Sequence, residues 1–164
     1  MRFSTRAVFT LLLAFSLGLL AAGLVLGVMA RLQPCYLCIF QRLIYITVAI
    51  FALGGVLVPA WRRLWAVLVG LTALGGVSTA LYQSWMQFAP ELVNECGVGQ
   101  PTLLEQIVDW FGMRWPSLFM VTGFCTNKDW VFLGLSLANW SVLCFAALLV
   151  GAVVLLRRRE PEQR

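Results

Sequence analysis

Four long apolar stretches alternate with short polar segments along the chain. They cover residues 7–30, 39–58, 64–85 and 140–156, and part of 130–139 extends the last one. Because about 20 apolar residues let a helix cross the hydrocarbon core of a bilayer, each stretch is long enough to span it. Asn139 and Ser141 interrupt the start of the fourth stretch. The pattern predicts an all-α, four-helix transmembrane bundle in which residues 1–164 form a single integral membrane domain.

The connection over residues 86–139 is too long to be a simple link between two spans. Within it, residues 101–111 place apolar side chains on one helical face and polar ones on the other. This spacing predicts a short amphipathic helix. It would either lie flat on the bilayer interface or pack against the bundle, and the pattern leaves both options open.

Composition indicates the environment, and charge indicates the orientation. Hydrophobic residues make up 61% of the chain and charged residues 12%, whereas about a quarter of a soluble domain is charged. Arginines cluster at three places: Arg2 with Arg6, Arg62 with Arg63, and residues 157–159. By the positive-inside rule, both termini and the turn between spans two and three are cytoplasmic, and residues 31–38 and 86–139 face outward. The net charge of +5 therefore indicates topology and not a nucleic-acid partner.

The cysteines fall into three places along this topology. Cys35 and Cys38 form a C-x-x-C motif in the first outward connection, Cys96 and Cys125 lie in the second, and Cys144 lies within the fourth span. Cysteines on the oxidising outer side of a bacterial-type inner membrane tend to pair. The economical assignment pairs Cys35 with Cys38 by proximity and Cys96 with Cys125 by exclusion. We expect Cys144 to act only as a small buried hydrophobic group.

The two cysteine pairs differ in what they can do. A structural disulfide stabilises most when it closes a long loop, which suits Cys96–Cys125 but not the tiny ring of Cys35–Cys38. We therefore predict that the C-x-x-C pair is redox-active, whereas for Cys96–Cys125 a redox role and a bracing role both stay open. The chain has no His, and Cys96 and Cys125 are 29 residues apart, which does not match the usual zinc sites. We expect no bound metal.

A membrane-embedded dithiol needs an electron acceptor. The sequence offers neither histidine ligands for haem nor a Gly-rich nucleotide loop, so a lipid-soluble quinone fits best. Arg42 lies one helical turn after Cys38, on the same face. There it would stabilise a Cys38 thiolate and the negative charge that develops on a quinone oxygen. The alternative for Arg42 is snorkelling to lipid headgroups. Gln41 is a candidate second polar contact with the quinone.

Over nearly its whole length, the chain resembles the disulfide bond formation protein B (DsbB) family. The resemblance rests on the four spans, the second cysteine pair and two motifs, PCYLCIFQR at 34–42 and WVFLGL at 130–135. It implies an enzyme of the bacterial inner membrane that reoxidises a periplasmic DsbA-type thiol oxidase. The electrons would pass to ubiquinone or menaquinone, the acceptor in the DsbA–DsbB–quinone system.

The resemblance also implies a role for each site residue. Cys96 would be attacked by the reduced C-x-x-C of the DsbA-type partner, and Cys125 would be its partner in the resting disulfide. Cys35 would exchange with these loop cysteines, and Cys38 would form an adduct or a charge-transfer pair with the quinone. Arg42 matches the quinone-supporting arginine of the family. Some members carry a His near the outer end of the third span, where this chain has Tyr82-Gln83-Ser84-Trp85, so that role is not carried over.

Two rival functions share the predicted architecture. A quinone or vitamin-K-epoxide-type reductase, fed by a thioredoxin-like partner, would run the same relay in reverse. A membrane protein that is not an enzyme would use two disulfides only to brace its outer connections. A bracing disulfide would resist exchange with a thiol-containing partner, whereas a relay disulfide would react with it.

Overall fold

The computed structural model describes residues 4–89, 102–128 and 130–157. These residues form six α-helices, one short 3-10 turn and one two-stranded hairpin. In chain order the elements are α1 (Thr5–Met29), α2 (Tyr36–Leu57), the turn Pro59–Trp61, α3 (Arg62–Phe88), α4 (Leu103–Arg114), α5 (Pro116–Phe119), β1 (Val131–Phe132), β2 (Leu135–Ser136) and α6 (Leu137–Arg157).

In the described residues, α1, α2, α6 and the unit formed by the 3-10 turn with α3 are long and apolar enough to cross a membrane. The predicted four-helix transmembrane bundle is thereby confirmed. The most extensive packing is of α3 on α6, followed by α1 on α2 and α2 on α3. The core includes Phe9, Val48, Val69 and Leu148, and the rings of Tyr45 and Phe145 stack there with centroids 4.2 Å apart.

The second and fourth predicted spans begin differently in the structure. Helix α2 starts at Tyr36, three residues before the expected position 39, because the Cys35 sulfur caps it by accepting the backbone N–H of Cys38 at 3.4 Å. Helix α6 starts at Leu137, before Asn139, because the Ser136 hydroxyl oxygen caps it by accepting the backbone N–H of Asn139 at 3.5 Å. These two capping contacts therefore place the starts of α2 and α6 closer to the N-terminus than the hydropathy pattern predicts.

Residues 131–136 form an antiparallel hairpin and not an extension of the fourth span. Val131 faces Ser136 and Phe132 faces Leu135. The two turn residues have positive φ, 52° at Leu133 and 79° at Gly134, as a type I′ turn requires. The indole N–H of Trp140 donates to the Phe132 carbonyl at 3.2 Å and ties the hairpin to α6. The part of 130–139 that extends the fourth span is therefore residues 137–139, the first three residues of α6.

The predicted amphipathic helix is α4, and it begins and ends slightly later than expected. A reciprocal cap fixes its start: the Thr102 side chain accepts the Glu105 N–H at 3.4 Å, and the Glu105 carboxylate accepts the Thr102 N–H at 2.7 Å. Val108 is fully buried in a cluster with Ile39 of α2. Leu103 and Met113 are each 78% exposed. The helix therefore packs on the bundle and still presents apolar side chains outward.

Candidate active site

Three cysteines meet at one end of the bundle, which we call the outer end. The sulfurs of Cys35 and Cys38 are 3.0 Å apart, and the side chain of Cys35 also hydrogen-bonds that of Cys125. Cys35 is 1% exposed and Cys125 6% exposed. The structure thus brings together three of the four predicted redox cysteines, and Cys96 lies outside the described residues.

We call the two connections predicted to face outward, residues 31–38 and 86–139, the first and second outer loops. Backbone contacts between these two loops place Cys125 next to Cys35. The backbone N–H groups of Thr122 and Gly123 both donate to the Pro34 carbonyl, at 2.9 and 3.2 Å. Gly123 packs so closely on the Gln33 carbonyl that a Cβ atom at position 123 would overlap the carbonyl group. This close approach puts Cys125 two residues further on, against the sulfur of Cys35.

The start of α2 positions the C-x-x-C pair. Cys35 is the capping residue and Cys38 lies in the first turn, so both sulfurs lie at the helix N-terminus. The unpaired backbone N–H groups and the dipole of a helix N-terminus favour negative charge there. Hydrogen bonding to Cys125, hydrogen bonding to Cys38 and burial raise the pKa of the Cys35 thiol above its ordinary value. Cys35 therefore keeps its proton in the reduced pair.

Two glutamines form a hydrogen-bonded chain that ends on the sulfurs. The Gln41 amide N–H donates to the Gln83 Oε1 at 2.7 Å, and the Gln83 Nε2 donates to the Cys38 sulfur at 3.1 Å and to the Cys35 sulfur at 3.5 Å. Both amides are buried, with 5% of Gln41 and 4% of Gln83 exposed.

Sequence reasoning gave Gln83 no role. The available signal was an amide within an apolar span near its outer end, since polar groups in such segments are costly unless they serve a partner. The sequence predicts a quinone contact for Gln41, and the structure shows in addition its contact with Gln83.

Arg42 connects α2 to the second outer loop. Its Nη1 donates to the Leu118 carbonyl at 2.6 Å, near the end of α5. Its charge also interacts with the Cys38 sulfur. Arg42 is therefore held in place by a protein contact and lies close to the C-x-x-C pair.

A cavity of about 280 Å³ lies beside Cys38. Cys38, Gln41, Arg42 and Gln83 contribute to its wall, and much of the remaining lining is apolar. The apolar side chains come mainly from α1 and α6 and include Leu19, Leu20, Leu26, Leu137, Ala138 and Trp140. An apolar cavity with a few converging polar groups is the usual form of a site for a small organic ligand.

Cys144 also lines this cavity, but it is separate from the sulfur cluster. It packs against the hydrophobic core and is half-buried. Because a buried cysteine acts as a small apolar group, we expect Cys144→Ala to leave turnover within about twofold of wild type. Steady-state oxidation of a thiol substrate would measure this. A tenfold loss would show that Cys144 takes part in the chemistry.

Comparisons with known proteins agree on one family. A family model described as "Disulfide bond formation protein DsbB" matches residues 5–155. A protein of Dechloromonas aromatica (strain RCB) named "Disulfide bond formation protein B" is 49% identical over 94% of each chain. A protein of the same name from Aromatoleum aromaticum is 40% identical and covers 96% of this chain and 95% of its own. "Disulfide bond formation protein B 1" of Pseudomonas syringae pv. syringae is 38% identical, covering 88% of this chain and 86% of its own.

Proposed function

Because the chain belongs to the DsbB family of multi-pass membrane oxidoreductases that form disulfide bonds, we propose that it reoxidises a DsbA-type thiol oxidase and passes the electrons to a membrane quinone. The observation that carries this proposal is the continuous line of sulfur contacts from Cys125 through Cys35 to Cys38 at the cavity. In the net reaction the partner's two thiols become one disulfide, and the quinone takes up two electrons and two protons.

The sulfur contacts allow electrons to pass inward, and the disulfide to pass outward toward the partner, without a large rearrangement. In each exchange a thiolate attacks one sulfur of a disulfide, one S–S bond forms and another breaks, and the displaced sulfur leaves as a thiolate. Cys125 is already in contact with Cys35, so an exchange between the two outer loops needs little movement. Cys35 and Cys38 need to approach by only about 1 Å to reach the bonded distance of about 2 Å.

The residues around the cavity fit a quinone. A bound quinone would supply the two-electron acceptor that the chain's own side chains lack. The apolar wall suits a ring and the start of an isoprenoid tail, and Cys38 is exposed to the same space. Arg42 would hold a ring oxygen through a cationic N–H, and Gln41 would offer a second polar contact. Ubiquinone and menaquinone both meet these requirements.

The charge distribution supports an orientation in the bacterial inner membrane. Arg6, Arg62, Arg63 and Arg157 lie at the ends of helices opposite the cysteine cluster. Basic residues favour the cytoplasmic side, so we place both termini in the cytoplasm and the sulfur cluster at the periplasmic surface. A periplasmic partner protein would then reach the second outer loop directly.

A coupled assay tests the proposed function. Purified protein is mixed with a reduced DsbA-type partner and a soluble quinone, and quinone absorbance and partner thiols are followed together. We expect one quinone to be reduced for each partner disulfide formed. If the disulfides only brace the loops, neither signal will change. If the chain is a reductase, electrons will move from hydroquinone to the oxidised partner, and the signals will change in the opposite direction.

We expect Cys96, and not Cys125, to react with the incoming partner, because Cys125 is 6% exposed and packs against Cys35. The test uses a partner that lacks its second active-site cysteine. A small disulfide oxidant is added, because neither variant can form the Cys96–Cys125 disulfide that the partner would otherwise attack. The mixed disulfide should accumulate in Cys125→Ser and be absent in Cys96→Ser, with Cys144→Ser as the matched control. The reverse pattern would exchange the two roles.

A further inference from the structure

Gln83 lies between the two sulfurs of the C-x-x-C motif, and the relay described above gives it no task. Its Nε2 is 3.1 Å from the Cys38 sulfur and 3.5 Å from the Cys35 sulfur. Burying an amide in an apolar bundle costs free energy unless its hydrogen bonds are made. The sulfurs of Cys35 and Cys38 are therefore the hydrogen-bond acceptors of the Gln83 Nε2.

Gln41 fixes which way the Gln83 amide points. The Gln41 Nε2 donates to the Gln83 Oε1 at 2.7 Å, so the Gln83 oxygen faces Gln41 and its N–H groups face the sulfurs. If the Gln83 amide alone were flipped, two NH2 groups would face each other at this distance and an oxygen lone pair would face the sulfurs. The interhelical pair thus makes Gln83 a hydrogen-bond donor toward Cys35 and Cys38.

A donor of this kind distinguishes the two sulfurs. An N–H group stabilises an anionic sulfur more than a neutral thiol, and the contact with Cys38 is the shorter one. Cys35 is occupied by its hydrogen bond with Cys125 and keeps its proton. Among the described residues that line the cavity, Cys38 is present and Cys35 is not.

We propose that Gln83, aligned by Gln41, is a positioning residue that makes Cys38 the anionic sulfur of the reduced pair, at the side where the acceptor binds. This inference rests on the proposed function for its biological meaning, but its physical content is the unequal reactivity of two thiols. Gln83 acts through Cys38 and exchanges no electrons itself.

The first test measures thiol reactivity and needs neither quinone nor partner. The fully reduced protein is alkylated with iodoacetamide at neutral pH, and the modification of each cysteine is followed by mass spectrometry. Because the thiolate is the reactive form, we expect Gln83→Met, which keeps the side-chain size, to slow alkylation of Cys38 by about tenfold. Gln83→Glu should slow it at least as much, since a carboxylate presents acceptors to the sulfur.

Gln41→Met supplies a second variant that leaves both sulfur contacts chemically intact. It frees the Gln83 amide to flip, so we expect an intermediate loss, about threefold. Thr79→Val is the matched control: Thr79 lies one turn before Gln83 in α3, and its hydroxyl donates to the carbonyls of Gly75 and Gly76. In Thr79→Val, Cys38 should be alkylated at the wild-type rate. Circular dichroism and thermal melting confirm that each variant is folded.

Kinetics with quinone separate this role from a merely structural one. We expect kcat to fall in Gln83→Met by about the same factor as alkylation, with the KM for quinone within about twofold of wild type. Wild-type alkylation rates in Gln83→Met would overturn the inference, whatever the quinone assay shows. A wild-type protein that reduces no quinone would instead overturn the proposed function, and the alkylation result would still decide the role of Gln83.

Discussion

Replacing Gly123 with alanine is expected to slow disulfide exchange between Cys35 and Cys125 by about 100-fold, because misplacing reacting atoms by about 1 Å can cost that much. Gly123 lies on the Gln33 carbonyl, where a Cβ atom would overlap backbone and not a movable side chain. The added methyl group must push the second outer loop off the first and lengthen the bonds to the Pro34 carbonyl. The expected loss of exchange rate comes from this steric overlap and not from backbone strain, because the φ angle of Gly123 is outside the left-handed region.

The exchange is measured most directly where no other outer thiol competes. In a background of Cys38→Ser with Cys96→Ser, a small disulfide oxidant should form the Cys35–Cys125 bond, and Gly123→Ala should slow its formation. Thr122→Ala is the matched control, because the Thr122 side chain is exposed and its contact with Pro34 is made by its backbone N–H. Equal rates in Gly123→Ala and wild type would show that another contact holds the loops together.

The membrane-spanning part of the fold was predictable because hydropathy over about 20 residues reports burial in lipid directly. The hairpin was not predictable in this way. Residues 130–135 are apolar enough to look like the start of a span, and hydropathy does not register that Leu133 adopts a positive φ. Hydropathy alone also places the start of the second span too late, at residue 39. A cysteine is not among the preferred capping residues, yet the Cys35 sulfur accepts the Cys38 N–H.

The residues of the candidate site could be named from the sequence, but their contacts could not. The C-x-x-C spacing at a helix start indicated Cys35, Cys38 and Arg42 from local sequence alone. The contact of Cys35 with Cys125 depends on a backbone approach between two loops, at Gly123 and Pro34, which no local pattern encodes. The Gln41–Gln83 pair joins residues 42 positions apart on different helices, and so it becomes visible only once α2 and α3 are packed.

Arg42 has two contacts whose effects can be separated. One is its bond to the Leu118 carbonyl, which helps to hold the second outer loop, and the other is its charge beside Cys38 in the cavity wall. Two backbone bonds to Pro34 remain when the Leu118 contact is lost. We therefore expect Arg42→Gln to leave Cys35–Cys125 exchange within about threefold of wild type, because the backbone bonds at Pro34 still hold the two loops together.

The quinone reaction should respond far more strongly to the same substitution. A cationic contact with a developing negative charge is worth roughly 1–3 kcal/mol, so Arg42→Gln should raise the apparent KM for quinone between about 5-fold and 150-fold. Arg42→Lys keeps the charge but loses the planar fork and should restore only part of the affinity.

Arg31→Gln is the matched control, since this arginine is exposed, lies at the outer end and does not line the cavity in the described part of the chain. If Arg42→Gln and Arg31→Gln give the same quinone kinetics as wild type, Arg42 serves only as a tether to the loop or as an anchor to lipid headgroups. If quinone affinity falls in Arg42→Gln alone, its charge acts within the cavity, as the proximity of Arg42 to Cys38 implies.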